Sequence, residues 1–190
     1  MMKRLVVFTA LVGLAAISFA QDQNPRGEVD ATVNGSKVTI EYGRPALKGR
    51  SLDELMSDLH EDRVWRAGEN QVTILETKAD LKIGGKSIPA GKYSLYVYAP
   101  AEGDWALCVN KNLGIPLVEI WAEAPSETAQ ELWPELRGYE ANIVGDEIAR
   151  IPMTKKSGES TDLFTIDLTS SELTLSWGDA AWTLSIEGST

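Results

Sequence analysis

A single histidine and a single cysteine in 190 residues leave this chain short of the usual catalytic vocabulary. Histidine-rich zinc sites and a Ser-His-Asp arrangement would both have to run through His60, which lies just after a helical pattern and reads as a solvated side chain at a helix end. Cys108 alone excludes internal disulfides, so stability has to come from burial. It sits in the apolar run Trp105 to Val109, where it reads as an inert buried thiol. No Gly-Lys-Ser/Thr follows a strand and opens a helix, so no phosphate loop is spelled out, and neither a cofactor nor a metal is expected. Basic residues are scarce too: 18 Lys and Arg stand against 28 Asp and Glu, for a formal net charge of -10. Phosphate binding draws most of its affinity from Lys and Arg, so nucleic acid is not an expected partner. There is no internal repeat and no low-complexity linker.

What is present begins with a leader. Lys3 and Arg4 precede the apolar run Leu5 to Phe19, and Ser18-Phe19-Ala20 makes a small-x-small cleavage site, so residues 1–20 read as a signal peptide. The product would be exported to the periplasm or the exterior. Position 21 is Gln, not Cys, which removes the usual lipoprotein attachment point, and no stable membrane insertion is expected after cleavage. Residues 21–190 are enough for one domain with a sizeable core and too few for two comfortable ones.

Strand signals dominate that domain. Glu28 to Val33 and Lys37 to Tyr42 flank Asn34-Gly35, the pair best suited to a type I′ hairpin. Ser51-Leu52-Asp53-Glu54 has capping-box spacing, and Leu52, Leu55, Met56 and Leu59 share one face, which predicts a short helix. Leu81 to Tyr98 alternates strand and turn residues and reads as a β-meander in which Tyr93, Leu95 and Val97 are the buried face. Ser126 to Trp133, stopped by Pro134, reads as a second short helix. Strand character returns at Glu147 to Met153 and Thr161 to Leu168, with Lys155 to Ser160 a polar loop. Glu172 to Trp177 and Trp182 to Glu187 read as a terminal hairpin across Gly178-Asp179. About ten strands with two short helices predict an all-β fold, an antiparallel β-sandwich or a flattened barrel.

The segments YGRPALKGR at 42–50, RVWRAGEN at 63–70, LKIGGKSIPAGKYSLYV at 81–97 and the turn Asn110-Lys111 resemble an exported bacterial family known as domain of unknown function 2911. The resemblance covers residues 29–111 well and 145–153 more loosely. It implies an exported, mostly β domain and brings no established activity with it. Where many members continue into Trp-Gly-x-Tyr, this chain has Leu113-Gly114-Ile115-Pro116 and an added region reaching about Gly138.

One constellation of residues points to binding. Arg44, Lys48 and Arg50 lie in one loop, while Trp65, Arg66 and Asn70 lie in another; with Tyr42 they would line a basic pocket with an aromatic wall if the fold joined the loops. Guanidinium groups grip carboxylates, sulfates and phosphates in bidentate fashion, so a small anionic or carbohydrate-like ligand is implied. The competing reading makes these cations internal staples, paired with Asp53, Glu54, Asp58, Glu61, Asp62 or Glu69. Two functional classes fit the sequence: a noncatalytic binding or interaction module of the cell envelope, and a hydrolase or isomerase using Arg66, Asn70, Tyr42 and Arg44. Paired acid and base carboxylates cannot be picked without their separation in space.

Overall fold

Asn34 and Gly35 take φ values of +47° and +81°, the left-handed pair that a two-residue hairpin turn requires. They join β1 (Gly27–Val33) to β2 (Ser36–Tyr42) in the expected register, with Val33 opposite Ser36. The structure is a computed structural model, which describes residues 26–135 and 138–189. The leader expected at 1–20 lies outside the described residues.

After β2 the chain forms α1 (Leu52–Ser57), whose capping box is complete: Glu54 N–H donates to Ser51 Oγ, and Ser51 N–H donates to the Glu54 carboxylate. Then come β3 (Val64–Trp65), β4 (Thr73–Thr77), β5 (Leu81–Ile83), β6 (Lys86–Ile88), β7 (Gly91–Tyr98) and β8 (Ala106–Asn110). The region from 113 to 138 holds β9 (Ile115–Pro116), α2 (Leu117–Ile120) and β10 (Leu132–Trp133). The chain closes with α3 (Tyr139–Asn142), β11 (Glu147–Pro152), β12 (Thr154–Leu168) and β13 (Glu172–Gly188).

A seven-stranded antiparallel sheet runs β1-β2-β4-β7-β8-β11, with β3 beside β7; a four-stranded sheet runs β12-β13-β5-β6. Neither closes into a barrel, so the all-β sandwich is the form adopted. The sheets share one core, in which Ile40, Leu75, Leu95 and Leu107 from the first face Leu81, Ile83, Phe164, Ile166 and Leu173 from the second. Each such side chain contributes about 1.5–3 kcal/mol by leaving water. At its centre Phe164 meets Trp65 edge-on at 4.8 Å, and Trp65 stacks on Trp177 at 5.0 Å.

Several local expectations change. Leu81 to Tyr98 is not one meander: β5 and β6 pair with each other in the smaller sheet, whereas β7 belongs to the larger. Pro89 and Ala90 carry the chain across the sandwich, a move that strand and turn residues alone do not encode. Both faces of β7 are also covered, because Ser94 and Tyr96 are as buried as Tyr93, Leu95 and Val97. Ser126 to Trp133 forms turns rather than a helix, since Leu132 and Trp133 use their backbone to pair with Pro116 and Ile115. Three short helices therefore stand among the described residues, with α2 and α3 at places where no helix was expected.

The C-terminal half differs most. Lys155 to Ser160 is part of β12, its polar side chains exposed; Lys155 to Ser157 pair with Trp182 to Ala180 before the register shifts at Gly158 to Ser160. Glu172 to Gly188 is one long strand, not a hairpin. Gly178 adopts φ +62°, and the core-facing set switches there from Leu173, Leu175 and Trp177 to Ala180, Trp182, Leu184 and Ile186. A left-handed glycine of this kind accommodates a bulge without ending the strand. The turn is made instead at Thr169, whose Oγ1 accepts from the backbone of Ser171 and Glu172.

Candidate functional site

Pairing of β3 with β7 sets Val64 opposite Tyr98 and Trp65 opposite Val97. Side chains alternate along a strand, so Trp65 enters the core while its neighbours turn to the outer face of the large sheet. Val64 joins an outer apolar cluster built on Tyr96, Cys108, Tyr139 and Ile143. Arg66 emerges beside it. The backbone on both sides of β3 is strained, for Arg63 before it and Ala67 and Asn70 after it all have positive φ, at +57°, +49° and +60°. Each left-handed non-glycine residue costs about 1 kcal/mol or more, and such outliers concentrate at functional sites.

A cleft of about 270 Å³ opens here, lined by Asp58, His60, Trp65, Arg66, Tyr96 and Glu135 among others. Tyr96 is 4% exposed and its hydroxyl has no hydrogen-bond partner among the described residues. Burial pushes the phenol up to about 12, so it holds its proton and can only donate or accept weakly. The Arg66 guanidinium is largely desolvated, which holds it below the usual arginine value. No carboxylate lies within ion-pair distance of it among the described residues. Its one hydrogen bond among the described residues is a long one, 3.5 Å from Nη1 to the Asn70 carbonyl.

The opposite wall is α3, and it is fastened firmly. Asp62 accepts from Tyr139 N–H at 2.7 Å with one oxygen and from Val64 N–H at 3.2 Å with the other, tying the helix to β3. Tyr139 donates to Glu147 at 2.8 Å and accepts from Asn110 at 3.0 Å. Arg150 bridges Glu147 and Glu140, at 2.8 Å each, and lies over the Tyr98 ring. His60, 65% exposed, sits at the rim with Nδ1 3.6 Å from Asp62.

The seven residues singled out from sequence are distributed, not convergent. Trp65 and Arg66 line the cleft. Asn70 supports Arg66 through its carbonyl. Tyr42 is buried, its hydroxyl donating to the Ile166 carbonyl and accepting from the Ile166 N–H, which joins the two sheets. Arg44 packs its chain near Gly27 and the Tyr42 ring, with a buried Nε that has no partner among the described residues. Lys48 and Arg50 are exposed in a loop tied to β12 by Leu47 N–H and Lys48 N–H, both donating to Asp162. Arg50 donates to Leu47. Among the described residues none of these cations pairs with the nearby carboxylates. The two loops do meet, but through backbone: a Cβ on Gly43 would lie 2.1 Å from the Glu69 carbonyl oxygen.

Sequence reasoning missed Tyr96, Asp62, Tyr139 and Glu135. Tyr96 had a signal, because a strand with aromatic residues on both faces marks burial on both sides. Asp62 and Glu135 had none, since their roles depend on an α3 that its four residues do not announce.

Residues 24–186 match the model of a family described as Protein of unknown function (DUF2911), so the match runs through the added region as well. No curated protein and no solved structure matches the chain.

Proposed function

We propose that this chain, which belongs to the DUF2911 family, is an exported binding module that takes a small monoanionic ligand, a carboxylic acid of sugar-acid or hydroxy-acid type, in the cleft beside Arg66. The observation that carries this reading is a half-buried, partly desolvated guanidinium without a carboxylate partner, beside a buried phenol without a hydrogen-bond partner, among the described residues. An uncompensated buried charge is costly, and a ligand carboxylate accepting from both groups would relieve it. The strongly acidic chain, together with Asp58 and Glu135 on the rim, disfavours polyanions and leaves room for a single negative charge. Noncatalytic binding fits better than turnover: the phenol keeps its proton up to about 12, and the sole imidazole stands exposed at the rim. Export rests on the leader pattern of residues 1–20.

Calorimetric titration tests this with wild type, Arg66→Ala, Tyr96→Phe and Arg44→Ala against sugar acids, hydroxy acids, phosphate and sulfate. Wild type should bind one or more carboxylates saturably but not their methyl esters. Arg66→Ala should weaken binding at least about tenfold, the loss of a charge-assisted hydrogen bond, and Arg44→Ala should leave it unchanged. Absence of binding across the panel, or binding that survives Arg66→Ala, would end the proposal.

A further inference from the structure

On the other side of α1 lies a second and larger cavity, about 450 Å³, lined by Asp53, Met56, Arg63, Asp104, Trp105, Lys155 and Trp182 among others. That volume falls within the range of about 300–1,000 Å³ typical of small-molecule sites. Its aromatic wall is a stacked pair: Trp105, half-buried, lies parallel to buried Trp182 with centroids 4.2 Å apart and planes within 9°. Two carboxylates and two cations surround this wall, and among the described residues none of the four forms an ion pair. Arg63 spends its Nε on the Ala99 carbonyl, and Lys155 Nζ lies 6.0 Å from the Trp182 ring centre.

Groups of both signs, held around one cavity without neutralising each other, suit a ligand whose polar groups donate and accept at once. Vicinal hydroxyls do that: each donates to a carboxylate and accepts from an ammonium or guanidinium. The apolar face of a pyranose ring would lie against the indole. A ligand of either net charge would meet two like charges here, so a neutral one is favoured. We infer that this cavity is a binding site for a neutral saccharide of one or two rings, separate from the cleft at Arg66. Asp53 and Asp104 accept from its hydroxyls, and Trp105 supplies the platform. The inference stands whether or not the Arg66 cleft binds an acid.

The test uses neutral methyl glycosides of glucose, galactose, mannose and N-acetylglucosamine, with the matching disaccharides. Binding is followed by calorimetry and by tryptophan fluorescence, in wild type, Asp53→Asn, Asp104→Asn, Trp105→Phe and Arg66→Ala, each checked by thermal unfolding. Saturable binding of at least one glycoside with a change in tryptophan emission is expected. Asp104→Asn and Asp53→Asn should each weaken it at least about tenfold. Trp105→Phe should retain binding with a smaller fluorescence change, and Arg66→Ala should bind as wild type does. No binding by wild type up to tens of millimolar, undiminished affinity in both Asp variants, or loss on Arg66→Ala would each overturn it.

Discussion

At the scale of single residues, two positions show stability and function pulling in opposite directions. Tyr96 buries a hydroxyl with no partner among the described residues, and a buried group in that state costs about 1–3 kcal/mol. Tyr96→Phe removes the oxygen and leaves the ring stacked edge-on against Tyr139 at 4.9 Å. Denaturant unfolding should therefore show Tyr96→Phe to be as stable as wild type or about 1 kcal/mol more stable, while its carboxylate binding falls. A loss of more than 1 kcal/mol would mean that the hydroxyl is satisfied in solution. Gly43 is the opposite case, because its Cα faces the Glu69 backbone where no side chain fits. Gly43→Ala has no flexible neighbour to displace, so it should cost about 3 kcal/mol or more, beyond the usual overpacking range. By contrast Gly35→Ala, in open space at φ +81°, should cost only about 1–2 kcal/mol in the same melts.

At the scale of elements, β13 is the clearest example of one residue organising a whole segment. It pairs with β12 from Leu173 to Thr183 and with β5 from Ile186 to Gly188, and the register with β12 breaks on both sides of the Thr161–Gly178 pair. With every residue kept but Gly178 extended, strict alternation through the junction would turn either Leu173, Leu175 and Trp177 or Trp182, Leu184 and Ile186 away from the core. Three large apolar side chains at about 1.5–3 kcal/mol each equal most of a typical domain's net stability. Deleting Gly178 instead leaves Trp177 and Ala180 two positions apart with both sets on one face, so the deletion variant should keep a cooperative thermal transition; Gly178→Ala, which meets only ordinary contacts with Leu47 and Leu52, should fold with a loss of about 1–2 kcal/mol. Loss of the cooperative transition on deletion would overturn this account of the junction.

At the scale of the molecule, a core without disulfides contains several acids kept protonated by burial, Cys108, Tyr96 and Tyr139 among them. Burial pushes the Cys108 thiol up to about 12 from an ordinary value of 9.0, and the Tyr96 phenol to about 12 from 10.0. The unfolded chain releases both protons near those ordinary values. Between about pH 9 and 12 the native state thus binds more protons than the unfolded one, and stability falls as pH rises through that window. Urea midpoints measured from pH 8 to 11 should decline, with little of the decline below pH 9. Replacing Cys108 with Ala should shift the onset of this decline toward higher pH. The same burial should leave the native thiol unreactive toward a disulfide reagent at pH 8 until the protein is unfolded.

Local chemistry determined what local chemistry controls. Asn34-Gly35 defined the first hairpin, Ser51 and Glu54 capped α1, and the alternating strands with turn residues between them made the chain an all-β sandwich, because each effect acts within a few residues of its cause. The single cysteine was legible as buried for the same reason. Decisions that couple distant segments were not. Whether Lys86–Ile88 and Gly91–Tyr98 share a sheet, whether Gly178 turns or merely bulges, and whether Leu132-Trp133 coils or pairs all depend on which strand waits across the core. The candidate site followed that division: Trp65 and Arg66 were legible because a strand end placed them, but Tyr96 and the α3 wall came from β7 and α3 packing on the far face of the sheet. Arg44 and Arg66 look alike along the chain, and only the tertiary structure sends one against Tyr42 and opens a cleft around the other.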